Sequence, residues 1–161
     1  MNKYIYNNKT YTIELCTLED IPSHVEKVSL YWNRNEERIQ VDRMINAVEN
    51  GTAIKLVDED NETKVFAYYE QISESESNGI ALWWSSIRLF AILGMWFRRY
   101  TFNHYVYITP HKEGLATFEF LVENQSIRNF KKKGTPLVLN LYSIKTERIV
   151  KLYESMNVKE L

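Results

Sequence analysis

Residues 105–109 read as a strand, and His111-Lys112-Glu113-Gly114-Leu115-Ala116 as the turn leading it into a helix over 114–130. Such a unit can bind phosphate. The first N–H groups of a helix have no carbonyl partner within it, and its dipole places positive potential at that end. Gly114 would let the backbone approach an anion without a Cβ, and Lys112 would add a point charge. The plainer alternative is that Gly114 only relieves a tight strand–helix turn. A second strand–helix unit follows, with a buried strand over 136–141 and a helix over 147–156. Gly134 stops the first helix, and Lys131–Lys133 complement its C-terminal dipole as a solvated end.

His24, His104 and His111 are too scattered to suggest a metal site. A single cysteine, Cys16, excludes an intramolecular disulfide and a cysteine-based zinc site. A formal net charge of -1 provides no global field to draw nucleic acid or an anionic membrane. The chain has 161 residues, 45% of them hydrophobic, enough for one domain with its own core. Its first residues lack the apolar run of a signal peptide, so a cytoplasmic address is expected. Residues 80–97 are almost wholly apolar but carry Arg88, whose burial in a bilayer would cost roughly 2.5–3.5 kcal/mol. A membrane span is therefore disfavoured.

The elements that would hold these residues follow from pattern. Residues 3–15 read as a strand or a hairpin around Asn7-Asn8. A helix follows with Pro22 in its first turn and Val25, Val28 and Trp32 on one face. Asn33 and Glu36 resemble a capping box for a second helix carrying Ile39, Met44, Ile45 and Val48, which stops at Asn50-Gly51. Strands over 53–57 and 64–71 flank the polar turn 58–62 as an antiparallel hairpin. Residues 73–79 read as a polar loop. The expected fold is α/β (α+β): one domain over 1–161, a mixed central sheet flanked by helices, with an aromatic-rich insert over about 78–101.

The order of strand, two helices, hairpin, strand, helix, strand, helix resembles that of the GNAT family, the acetyl-CoA-dependent N-acetyltransferases. In that family the fourth strand runs into a Q/R-x-x-G-x-G/A turn. Residues 111–116 match at Gly114 and Ala116, with His111 in place of Gln or Arg. The family pattern A-x-x-L-Y-E-K-x-G-F is matched at Leu152-Tyr153-Glu154, with Asn157 for Gly, Val158 for an aromatic and Thr146 for a preceding Asn. Thr146-Glu147-Arg148 is similar to the start of the last helix in small GNAT-like proteins of tailed phages. The resemblance covers most of residues 11–158.

It implies an N-acyltransferase using acetyl-CoA as cosubstrate and an amine acceptor. The backbone at Tyr107, Ile108 and Thr109 would hold the pantetheine arm. Lys112, Gly114, Leu115 and Ala116 would hold the pyrophosphate. Tyr153 would protonate the leaving thiolate, although a core aromatic is the alternative. A general base must take the amine's proton. Glu70, Gln71 and His104 lie at strand ends, and Glu70 is favoured. The alternative is a catalytically degenerate GNAT-fold protein serving as a structural or interaction component, for instance of a bacteriophage particle, which would place it in the host cytoplasm or the virion. The aromatic segment over 80–100 has three readings: a helix shaping an apolar pocket, an interface for a second copy or protein partner, or a membrane contact. The chain stops at Leu161 just after the last helix, so the further strands of many family members are expected to be missing, leaving a sheet edge needing cover.

Overall fold

The computed structural model describes residues 2–29, 34–74, 76–100, 105–108, 137–140 and 146–161. Local grammar sets the first hairpin. Strands β1 (Lys3–Tyr6) and β2 (Lys9–Leu15) are joined by Asn7 and Asn8, both at positive φ (49° and 61°). A two-residue loop of this kind matches the twist of the strands, and Asn tolerates the left-handed region. After a turn of 3-10 helix at Leu18–Asp20 comes α1 (Ile21–Ser29), then α2 (Arg34–Glu49). Thr17 and Asp20 form a capping box over the 3-10 turn, with the Thr17 N–H donating to the Asp20 carboxylate at 2.7 Å. Gly51, at φ 70°, ends α2: its N–H donates to the Val48 carbonyl and that of Thr52 to Ala47. Only this left-handed residue lets both last carbonyls be satisfied.

Strands β3 (Ala53–Val57) and β4 (Thr63–Gln71) form the second expected hairpin. The Asp58 carboxylate accepts the Asp60 and Glu62 N–H groups and pairs with Lys64, which fixes the turn. All five residues of β3 are buried, because helices cover the sheet on both faces at its centre. Lys55 is tolerated there because its ammonium meets Asp20 at 2.8 Å.

The aromatic stretch expected as an insert belongs to the sheet itself. Residues Glu76–Trp84 form β5, which pairs antiparallel with β4, and Ile87–Tyr100 form α3. The polar loop expected over 73–79 is correspondingly shorter, since β5 begins at Glu76. Trp83 and Trp84 are apolar in succession because β5 has helix-covered surface on both faces, so alternation is lost. Trp83 stacks on Phe66 on one face, and Trp84 tilts against Phe90 on the other. Strands β6 (Tyr105–Ile108) and β7 (Leu137–Asn140), helix α4 (Thr146–Ser155) and β8 (Lys159–Glu160) complete the described chain.

The sheet order is β7-β6-β5-β4-β3-β2-β1-β8, antiparallel except for β5 and β6. The predicted class, a mixed sheet flanked by helices, is the observed one. The residues after α4, expected to add no strand, do add one: Lys159 and Glu160 pair with Ile5 and Tyr4. The sheet separates two cores. One face packs Cys16, Ile21, Val28, Met44, Phe66 and Tyr68 with α1 and α2. The other packs Ile54, Leu56 and Val65 under α3 and α4. Helix α3 is buried nearly all round, from Leu89 to Phe97. Each of its buried Leu, Ile, Phe and Met side chains contributes about 1.5–3 kcal/mol on burial. At Gly94 a Cβ would stand 3.5 Å from the Ile149 side chain, so α3 and α4 lie against each other here. Among the described residues no helix is long and apolar enough to cross a membrane.

Candidate functional site

The parallel pair β5–β6 is short. Glu76, Ser77 and Asn78 face Tyr105, Val106 and Tyr107, and the pairing stops there. Just beyond, the β4–β5 register slips: Tyr68 faces Ala81, but Tyr69 faces Gly79, so Ile80 is an extra residue. Such a bulge bends its strand and increases local twist. Past it, residues 79–84 of β5 pair with β4 on one side and with no described strand on the other. Among the described residues the two strands therefore fork at Asn78, and no described strand lies on the outer edge of β5 beyond it. An unpaired strand edge is a template for an extended, amide-bearing chain.

The upper end of β5 leads to the N-terminus of α3 through Ser85 and Ser86 alone. Ser86 is the N-cap: its Oγ accepts the Leu89 N–H at 3.2 Å. The N–H groups of Ile87 and Arg88 remain without a carbonyl inside the helix. Ser85, Ser86 and Arg88 are exposed. A strand edge running into a helix N-terminus with an arginine beside it suits an elongated ligand that carries amides at one end and phosphate at the other.

Glu70 lies next to this fork on the α1–α2 face. It sits opposite Asn78 in the β4–β5 register, and Asn78 is opposite Tyr107. Its Oε1 accepts from Arg43 Nη2 of α2 at 3.0 Å and from Asn78 Nδ2 at 3.5 Å. The Arg43 guanidinium holds the Glu70 carboxyl below its ordinary range, so it is an ionised carboxylate and a weak base. Gln71 ends β4 and is exposed, its amide donating to the Ser73 carbonyl at 3.2 Å.

Tyr153 is not brought to Glu70. It is on α4, on the opposite face of the sheet, and its hydroxyl donates to Glu160 Oε1 of β8 at 2.6 Å. Arg99 of α3 also pairs with Glu160, and its guanidinium lies 5.9 Å from the centre of the Tyr153 ring. Burial, then the Glu160 carboxylate, pushes the Tyr153 phenol well above its ordinary range. The Tyr153 and Arg99 hydrogen bonds hold Glu160 below its own. Strand β8 is five strand positions from β5 in the sheet order, on the order of 20 Å at ordinary strand spacing. Tyr107 and Ile108 are both in the β6–β7 ladder, and Tyr107 also faces β5. Thr109, Lys112, Gly114, Leu115 and Ala116 lie outside the described residues, as do His104 and His111.

Sequence reasoning missed the β5 fork and the α3 N-terminus. The signal was a serine pair, Ser85-Ser86, between a strand ending in two tryptophans and a helix closing on Arg98-Arg99. It also missed a buried polar network beneath α1. His24, fully buried, stacks on Phe66 with ring centres 4.0 Å apart. Its Nδ1 lies 2.7 Å from the Tyr68 hydroxyl and its Nε2 3.4 Å from Thr63 Oγ1. Burial lowers the His24 imidazole to about 4 and raises the Cys16 thiol, which hydrogen-bonds Tyr68, to about 12. Neutral groups suit this interior.

The mixed sheet flanked by helices is similar in fold to N-acetyltransferases of the GNAT class. The PaiA N-acetyltransferase of Thermoplasma acidophilum, solved with coenzyme A, is similar over 80% of this chain and 96% of its own, at 9% identity and a TM-score of 0.50. A GNAT-family acetyltransferase of Bacillus cereus is similar over 81% of this chain and 94% of its own, at 11% identity and a TM-score of 0.50. No family model matches the sequence, and no curated protein does.

Proposed function

We propose that this chain transfers an acetyl group from acetyl-CoA to the nitrogen of an amine. The observation that carries the reading is the fork at Asn78, where the outer edge of β5 meets no described strand and leads into the Ser86-capped N-terminus of α3. The pantetheine amides would pair with the β5 edge over 79–84. The pyrophosphate would meet the N–H groups of Ile87 and Arg88, with the Arg88 side chain as counter-charge. The residues present fit that ligand in kind: open backbone donors and acceptors, then a helix N-terminus, then a cation. Gly114 with Lys112, Leu115 and Ala116 is the second candidate for the pyrophosphate, with Tyr107, Ile108 and Thr109 for the arm. Glu70, ionised and beside the fork, would receive the acceptor's ammonium.

The chemistry required is modest. The amine nitrogen attacks the thioester carbonyl carbon, the C–S bond breaks, and coenzyme A leaves. One proton of the ammonium goes to solvent by way of Glu70, and a second goes from the nitrogen to the departing sulfur. Tyr153 is proposed as the thiolate's acid only if its hydroxyl leaves Glu160. Its present bond favours a second reading, a GNAT fold kept as a binding or structural component, including a component of a phage particle.

Thermal melts with acetyl-CoA separate the two. A ligand at a hundredfold its Kd stabilises by about 2.7 kcal/mol. A rise in Tm lost in Ser86→Trp supports the α3 site, and one lost in Gly114→Trp supports the later turn. No rise at millimolar acetyl-CoA overturns the acetyltransferase reading.

A further inference from the structure

Arg43 and Glu70 form an ion pair from α2 to β4 in which neither partner is deeply buried, with side-chain exposures of 33% and 44%. Among the described residues both hydrogen bonds to the Glu70 carboxylate fall on Oε1, from Arg43 at 3.0 Å and from Asn78 at 3.5 Å. Its Oε2 has no partner among the described residues. Among the described residues Arg43 likewise uses Nη2 alone, with no partner described for its remaining N–H donors. The pair therefore presents a negative oxygen and a positive, planar donor edge side by side, on the acceptor face of the sheet. Asn78, at the last rung before the fork, ties the carboxylate to that position.

A ligand with one charge would gain from one end of this pair and be opposed by the other. A lone ammonium on Oε2 would feel Arg43, and a lone carboxylate on Arg43 would feel Glu70. A zwitterion satisfies both. An α-amino acid carries its ammonium and carboxylate on one carbon, so two opposite charges lying against each other, as Arg43 and Glu70 do, can both be met by one such ligand. A guanidinium matches a carboxylate with two parallel N–H donors, which lysine cannot do. We infer that the acceptor is a free α-amino acid, held with its ammonium on Glu70 and its carboxylate on Arg43. The inference rests on the N-acetyltransferase reading and specifies its acceptor.

In the transfer, the α-ammonium loses one proton to solvent through Glu70, and the freed amine attacks the thioester carbonyl carbon. As the C–S bond breaks, the nitrogen's second proton passes to the sulfur. The products are an N-acetyl amino acid, coenzyme A as thiol, and one proton. Arg43 takes no part in the bond changes. It binds the carboxylate and orients Glu70.

The test measures thiol release from acetyl-CoA by the full chain with leucine, glutamine and lysine, each against its own α-carboxamide. The carboxamide keeps the ammonium and lacks the negative charge. For at least one of the three, KM for the acid should be at least tenfold below that for the amide. Arg43→Gln should abolish that difference, and Arg43→Lys should restore part of it, with Tm unchanged in both. Equal KM for acid and amide in every pair, or discrimination that survives Arg43→Gln, overturns the inference while leaving acetyl transfer standing. Should no amine release thiol, amide NMR shifts at Glu70 and Asn78 on adding the acids decide it: shifts by an acid and not its carboxamide, lost in Arg43→Gln, support the zwitterion site. No acid-specific shift overturns it. Failure of acetyl-CoA to raise Tm marks a failure of the transferase reading instead.

Discussion

The two faces of the sheet solve burial differently. Under α3 and α4 the core is mainly apolar, built of Ile54, Leu56, Val65, Ile92 and Leu93 with the buried Tyr4 and Tyr11, and its charged groups sit at the rim in the Arg99–Glu160–Tyr153 set. Under α1 and α2 the core includes a hydrogen-bonded chain from Cys16 through Tyr68 and His24 to Thr63, with Lys55 and Asp20 close by. The open ion pair of Glu70 and Arg43 is also on this side. An apolar core depends on volume and is nearly blind to pH. A wired one depends on protonation state. The face beside the fork that we assign to the acceptor is thus the one whose buried core responds to acid above the carboxylate range, whereas Glu160 at the rim of the other face responds only at lower pH.

The sharpest contrast comes from cutting each core. Ile92→Ala, at a site with no exposure, should cost about 2–5 kcal/mol in urea unfolding. That loss should be the same at pH 7 and pH 5; a strong pH dependence would break the distinction between the faces. On the other face, His24 binds a proton more readily unfolded, near 6.5, than folded, near 4. The unfolded state holds more protons between these values, so stability is full above about 6.5 and is lost as pH falls toward 4. The loss is on the order of 3 kcal/mol if the whole shift is realised. His24→Gln should flatten the stability profile between pH 6.5 and 5, above the range of the carboxylates. An unchanged slope would mean that His24 is not the sensor.

The rim set should matter less. Tyr153→Phe removes one hydrogen bond to a carboxylate that is itself partly exposed, and should cost about 1 kcal/mol. If instead it leaves stability intact and removes acetyl transfer, Tyr153 is the acid after all. Smallest is Lys27→Met. Its ammonium stands 4.9 Å from the Trp83 ring centre, a contact worth about 0.5 kcal/mol, and the loss should register in tryptophan fluorescence more clearly than in Tm.

Local signals in the sequence translated well. Asn7-Asn8, Asn50-Gly51 and the 58–62 turn each carry their own backbone instruction, and strands and helices follow between them. The central unit did not. Residues 80–97 run apolar because both β5 and α3 are covered on more than one side, so neither period 2 nor period 3.6 stands out. The site pairs were illegible for another reason. Arg43 and Glu70 are 27 residues apart, His24 and Tyr68 are 44, and Arg99 and Glu160 are 61. Only the folded sheet brings them together. The Leu152-Tyr153-Glu154 motif could be read, but not that Glu160 holds the hydroxyl.

Acetyl-CoA is proposed to lie along the outer edge of β5 and against the N-terminus of α3. Amide hydrogen exchange with and without the ligand tests it directly. Exchange should slow across residues 79–84 and at Ile87 and Arg88, while β1, β8 and Tyr153 keep their free-protein rates. Unchanged exchange over 79–88 at millimolar acetyl-CoA would contradict it, as would protection confined to β1 and β8.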